Sequence, residues 1–146
     1  MTSLPTGTVT LLFTDIEGST RLLERLGEAF ADTLAEHRRV LRDAFERHGG
    51  VEVGTEGDSF FVAFPLASEA LAAAREGQDA LEEGEVRVRM GMHTGEPIVA
   101  GTDYIGMDVH RAARIAAAGH GGQILLSEAT RTLVGDDGFA TSAATG

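Results

Sequence analysis

Two aspartates carry the first chemical signal. Asp15 closes the apolar, β-branched run "TVTLLFT" (8–14), and Asp58 opens another apolar run within "TEGDSF". Two carboxylates held a few ångströms apart repel, and they stay ionised together only with cations between them. An all-oxygen donor pair suits Mg²⁺ or Mn²⁺. Directly after Asp15 comes "IEGST" and then a helical pattern. A helix start preceded by small residues offers free backbone N–H groups and a partial positive charge, which is a seat for phosphate. Gly18, Ser19 and Thr20 are the seat residues, with Ser19 or Thr20 as N-cap candidates. Taken singly, Asp58 is an ordinary turn residue, Asp15 an ordinary strand end, and the helix start a plain cap. A metal-type acid beside a phosphate-type helix start points to a nucleoside triphosphate and its metals.

The elements that must position these residues are legible from periodicity. Residues 8–14 read as a buried strand. From Ser19, Leu22, Leu23, Leu26, Phe30, Leu34, Leu41 and Phe45 recur at helical spacing, with Gly27 as a break and "HGG" (48–50) as a stop. "VEV" (51–53) and "SFFVAF" (59–64) read as a hairpin around "GTEGD", and 66–84 as an Ala/Leu-rich helix. "VRVRMGMHTG" (86–95) alternates, with Val86, Val88, Met90 and Met92 on one face and Arg87 and Arg89 on the other. A short strand "PIVAG", a helix over 108–118, a strand "QILLS", a short helix "EATRTLVG" and a frayed tail "FATSAATG" complete the chain.

The order β-α-β-β-α-β predicts an α+β fold with a ferredoxin-like core. Its sheet is rich in antiparallel pairs and covered by helices. Side by side in such a sheet, the first strand and the hairpin bring Asp15 and Asp58 to one end.

A chain of 146 residues suits a single domain, 1–146. The formal charge is −11, which argues against nucleic acid as a partner. All twelve basic residues are arginine. There is no cysteine, hence no disulfide or thiolate metal site. No apolar run reaches the ~18 residues of a membrane span, and the N-terminus lacks a secretory pattern. The expectation is a cytoplasmic protein.

The pieces "TLLFTDIEGST", "EGDSFFVAF", "VRMGMHTGE" and "DYIGMDVHRAARIA" together resemble the catalytic domain of class III nucleotidyl cyclases, the adenylyl and guanylyl cyclases. They occur in family order over about residues 8 to 130. The resemblance implies that Asp15, Asp58 and the carbonyl of Ile16 hold two divalent ions, Mg²⁺ or Mn²⁺. It implies that Arg89 contacts the triphosphate of ATP or GTP and that Arg114 stabilises the transition state. It also implies a head-to-tail homodimer, in which Asp15 and Asp58 of one copy face Asp103, His110 and Arg114 of the other. Asp103 matches the adenine-reading position.

Three departures stand out. Gly54 occupies the place of the family's base-reading lysine. His110 occupies that of its transition-state asparagine. A further phosphate-binding lysine belongs in the family to C-terminal strands, and the expectation is that residues 1–146 do not include them. Each lost hydrogen bond to developing charge costs roughly 10²–10³-fold in rate. The reading is therefore a purine nucleotidyl cyclase, adenylyl in preference and of reduced rate. The alternative is a degenerate cyclase-like domain that binds nucleotide or dimerises without turnover. An RNA-binding module conflicts with the acidity and with 5% aromatics, and "TEGDSF" does not fit a diguanylate cyclase.

Overall fold

The computed structural model describes residues 3–135. Strand β1 (Val9–Ile16) leads into helix α1 (Ser19–Leu26), a 3₁₀ turn (Gly27–Ala29) and helix α2 (Phe30–Arg47). The hairpin β2 (Val51–Glu56) and β3 (Ser59–Phe64) follows, then α3 (Ala67–Leu81) and β4 (Val88–Gly95). A small hairpin, β5 (Ile98–Ala100) and β6 (Asp103–Ile105), precedes α4 (Met107–Ala117), β7 (Ile124–Leu126) and α5 (Glu128–Val134).

The main sheet has the order β2-β3-β1-β4-β7. Strand β1 is central and antiparallel to both β3 and β4, while β7 pairs parallel to β4. The order β2-β3-β1-β4 is the ferredoxin-like core expected from the sequence, and β7 extends it. The central place of β1 explains its near-continuous apolar run, since one of its faces is fully covered and the other in part.

On one face Leu12, Ile16, Phe60, Val62, Phe64, Val88, Met90 and Met92 pack against Leu41 and Phe45 of α2 and Ala70, Leu71, Ala73 and Ala74 of α3. The opposite face is covered only in part: Val9, Leu11 and Ala63 pack with Tyr104 of β6 and Ala112 of α4. Phe13 and Phe61, on that second face, stack with ring centroids 4.3 Å apart and stay half-buried.

Several boundaries differ from the sequence reading. Helix α1 is capped at Gly18, whose backbone is left-handed (φ 68), and not by a Ser19 or Thr20 side chain. The chain must turn sharply out of β1, and only glycine does so without strain. Strand β2 runs on to Glu56, so Gly54 lies within the strand, next to a bulge between Glu52 and Gly54. Strand β4 begins at Val88, two residues late, although Val86 is buried on the expected face. Strand β6 went unrecognised; three residues including an aspartate give no periodic signal. The tail "FATSAATG" lies outside the described residues.

Candidate functional site

The site grows from the C-terminal end of β1. The register Thr14↔Phe60 carries Ile16 to the turn Gly57–Asp58 that joins β2 and β3. There the Ile16 N–H donates to Asp58 Oδ2 at 3.1 Å. N–H and C=O of one extended residue point the same way, so the Ile16 carbonyl also faces the Asp58 side. Arg38 of α2 steadies the turn by donating from Nε to the Gly57 carbonyl at 3.2 Å. Asp58 thus lies against the residue that follows Asp15, at one end of the sheet.

Asp15 is not free in this arrangement. It faces Arg89 across the β1–β4 ladder. Arg89 donates from Nε to Oδ1 at 2.7 Å and from Nη2 to Oδ2 at 2.6 Å, a two-pronged ion pair. These bonds to Asp15 hold the guanidinium above its ordinary pKa; burial opposes, and the charges of Asp15, Glu17 and Asp58 add to the rise. Arg89 therefore senses both aspartates. Asp15, Asp58 and the Ile16 carbonyl supply only oxygen donors, two of them charged and half-buried, a set that fits Mg²⁺ or Mn²⁺.

Next to the acids lies a cleft of about 910 Å³. Ile16 to Leu22, Arg25, Glu85, Arg87 and Arg89 line it. Among the described residues no side chain caps α1, so the amides of its first turn are available to an anion. Four arginines against two glutamates make this cleft basic in a chain of net charge −11. Arg25 is paired with Glu85 (2.6 Å), and Arg87 donates to the Gly84 carbonyl (2.6 Å). Arg89, the fourth, is held by Asp15, and Arg21 lines the cleft beside it. Arg21, Arg25 and Arg87 were not singled out from the sequence; they lie on two segments whose shared cleft no local pattern reveals. Cleft and carboxylates together can seat a polyphosphate beside a divalent ion.

A family model, the adenylate and guanylate cyclase catalytic domain, matches residues 1–145. The chain belongs to this family. An uncharacterized protein of Mycobacterium tuberculosis is 42% identical over 132 residues, covering 89% of this chain and 46% of the relative. The adenylate cyclase of Lachancea kluyveri is 35% identical over 154 residues, covering 84% of this chain and 8% of that protein. The chain thus spans less than half the length of these curated relatives. A solved structure of adenylate cyclases from Trypanosoma brucei in their monomeric state superposes with a TM-score of 0.81 at 29% identity, covering 91% of this chain and 78% of that one.

In this cyclase domain the remaining expected site residues lie apart from the cleft. Asp103 is exposed on β6, its Oδ1 accepting from the Tyr104 N–H at 2.8 Å. His110 and Arg114, one helical turn apart on α4, are both exposed and have no partner among the described residues. None of the three lines the cleft.

Helix α4 is anchored by a buried polar network that the sequence did not announce. His93 binds Ser127 Oγ through Nδ1 (2.7 Å) and Asp108 Oδ1 through Nε2 (2.8 Å), while Asp108 Oδ2 accepts from the Glu96 N–H (3.2 Å). Ser127 also caps α5 by accepting from the Thr130 N–H. The only hint was a histidine inside the apolar strand "VRMGMHTG". Ser127 and His93 are buried, so this Ser-His-Asp set serves to lock α4 onto β4 and not as a nucleophile.

Proposed function

We propose that this cyclase domain converts a purine nucleoside triphosphate, ATP in preference, to the 3′,5′-cyclic monophosphate and pyrophosphate, acting as a head-to-tail homodimer. The observation that carries this reading is the hydrogen bond from the Ile16 N–H to Asp58 Oδ2 directly after Asp15, beside a helix start in an arginine-lined cleft. Asp15, Asp58 and the Ile16 carbonyl would hold two divalent ions. Bound there, such ions neutralise triphosphate charge and acidify the ribose 3′-hydroxyl.

The protein's own groups do the rest. The amides of Ser19 and Thr20 and the guanidinium of Arg89 hold the β- and γ-phosphates and fix the α-phosphorus in line with the 3′-oxygen. The O3′–Pα bond forms, the 3′-hydroxyl proton passing to water, as the bond from Pα to the pyrophosphate oxygen breaks. Arg114 and His110 of the second copy donate to the charge that develops on the α-phosphoryl oxygens. Asp103 of that copy accepts from the adenine amino group. The separation of Asp103, His110 and Arg114 from the cleft supports a partner-supplied half-site. So does the half-buried Phe13–Phe61 stack, on the sheet face that also carries Asp15 and Arg89.

The test is cyclic nucleotide formation with Mn²⁺ and ATP or GTP. Activity is expected, and Asp15→Ala or Asp58→Ala should each abolish it. Folded dimer that forms no cyclic nucleotide from either substrate overturns the reading. Gly54 and His110, where the family has lysine and asparagine, favour the second reading, nucleotide binding without turnover. Metal-dependent ATP binding in calorimetry with no product would establish that one.

A further inference from the structure

Arg89 occupies both oxygens of Asp15, the carboxylate to which the proposed function gives a metal ion. Three observations make this more than a surface ion pair. The two residues are cross-strand partners in the β1–β4 ladder, so sheet register and not a loop holds them together. Their side chains are 28% and 29% exposed, so water competes only in part. Arg89 also lines the cleft together with Ser19 and Thr20 at the start of α1, so a swing of its side chain would carry it from carboxylate toward the phosphate seat.

We propose that Arg89 is the resident cation of the metal site: in the nucleotide-free protein it holds Asp15 closed to divalent ions, and the triphosphate opens the site by taking Arg89 away. This rests on the cyclase reading and adds an order of binding to it. A guanidinium and a divalent ion cannot share one carboxylate at close range without strong repulsion. Metal and Arg89 therefore exclude each other at Asp15. Triphosphate offers Arg89 an alternative bidentate acceptor. Nucleotide must then raise metal affinity, and metal must raise nucleotide affinity by the same factor. Such an arrangement keeps the two aspartates charge-balanced when the site is empty, and it makes metal uptake conditional on substrate.

The test reads metal binding without turnover. Free Mn²⁺ is measured by electron paramagnetic resonance over the full chain without nucleotide, for wild type and Arg89→Gln. In each background Asp15→Asn serves as the blank, removing binding by the many other acidic groups. Losing two charge-assisted hydrogen bonds on Asp15 should raise its Mn²⁺ affinity about 10- to 100-fold in Arg89→Gln. A non-hydrolysable ATP analogue should raise Mn²⁺ affinity in wild type by a similar factor and much less in Arg89→Gln. Arg89→Lys, which keeps the charge but not the fork, should fall between the two. The melting temperature of each variant shows that it is folded. Equal Mn²⁺ affinity in wild type and Arg89→Gln overturns the inference and leaves the cyclase reading standing. No Asp15-dependent Mn²⁺ binding in any variant, with or without the analogue, overturns both.

Discussion

Gly91 offers the sharpest structural test, because helix α4 lies directly on it. A Cβ at this position would stand 2.2 Å from the Ala116 nitrogen, 2.5 Å from its Cα and 2.8 Å from the Ile115 carbonyl carbon. These are helix backbone atoms, so no rotamer change relieves the clash. To restore ordinary contact at about 3.4 Å, α4 must lift by roughly 1.2 Å from β4. That shift would loosen the packing of Ala112, Ile115 and Ala116, all buried. Overpacking of this kind costs ~1–3 kcal/mol, and backbone opposition puts Gly91→Ala at the upper end. The melting temperature should fall by roughly 10 °C. The same shift displaces His110 and Arg114, and misplacement by about 1 Å costs on the order of 10²-fold in turnover. Gly54→Ala is the matched control. Nothing lies within 4 Å of a Cβ there, so its stability should stay within about 0.5 kcal/mol of wild type. Thermal unfolding and the cyclase assay read both effects. A Gly91→Ala protein melting within about 2 °C of wild type would refute the close-contact argument.

The open space at Gly54 also allows a gain. Gly54→Lys places an ammonium on the exposed strand at the family's base-reading position, and should raise the ATP-over-GTP ratio of kcat/KM by about tenfold or more. An unchanged ratio would show that Gly54 does not face the base. A further prediction concerns pH. His37 is buried beside Phe60, and desolvation holds it below its ordinary value of 6.5, with the Leu34 carbonyl and Asp58 opposing. The folded state keeps it neutral while the unfolded chain takes up a proton, so stability falls as pH drops below about 6.5, by at most ~1.4 kcal/mol per pH unit. In urea titrations from pH 7 to 5, His37→Leu should flatten that decline; an identical slope would assign it to other groups.

Local pattern was enough for the five strands of the main sheet, the helices and the break at Gly27, because hydrophobic period and glycine conformation are properties of neighbouring residues. It was enough to pick out Asp15, Asp58 and the Gly18–Thr20 helix start, since a strand end, a hairpin turn and a helix start are each local. The βαββαβ order then sent both aspartates to one end of the sheet, where the Ile16 N–H donates to Asp58 Oδ2. What no local pattern carried were the contacts set by strand register. Arg89 read as the polar face of an alternating strand; its pairing with Asp15, 74 residues away, exists only because β4 lies antiparallel to β1 with those two residues opposite. The anchoring of α4 by His93, Asp108 and Ser127 joins three separate segments, and the parallel β4–β7 pair brings Ser127 to it. The glycine cap of α1 and strand β6 were decided by chain direction and by packing on β1, which override weak propensities over two or three residues. The sequence by itself thus determined the elements and the candidate groups at the end of β1. Tertiary register decided that Asp15 is met by Arg89, because the distance between two strands depends on how the whole sheet is threaded.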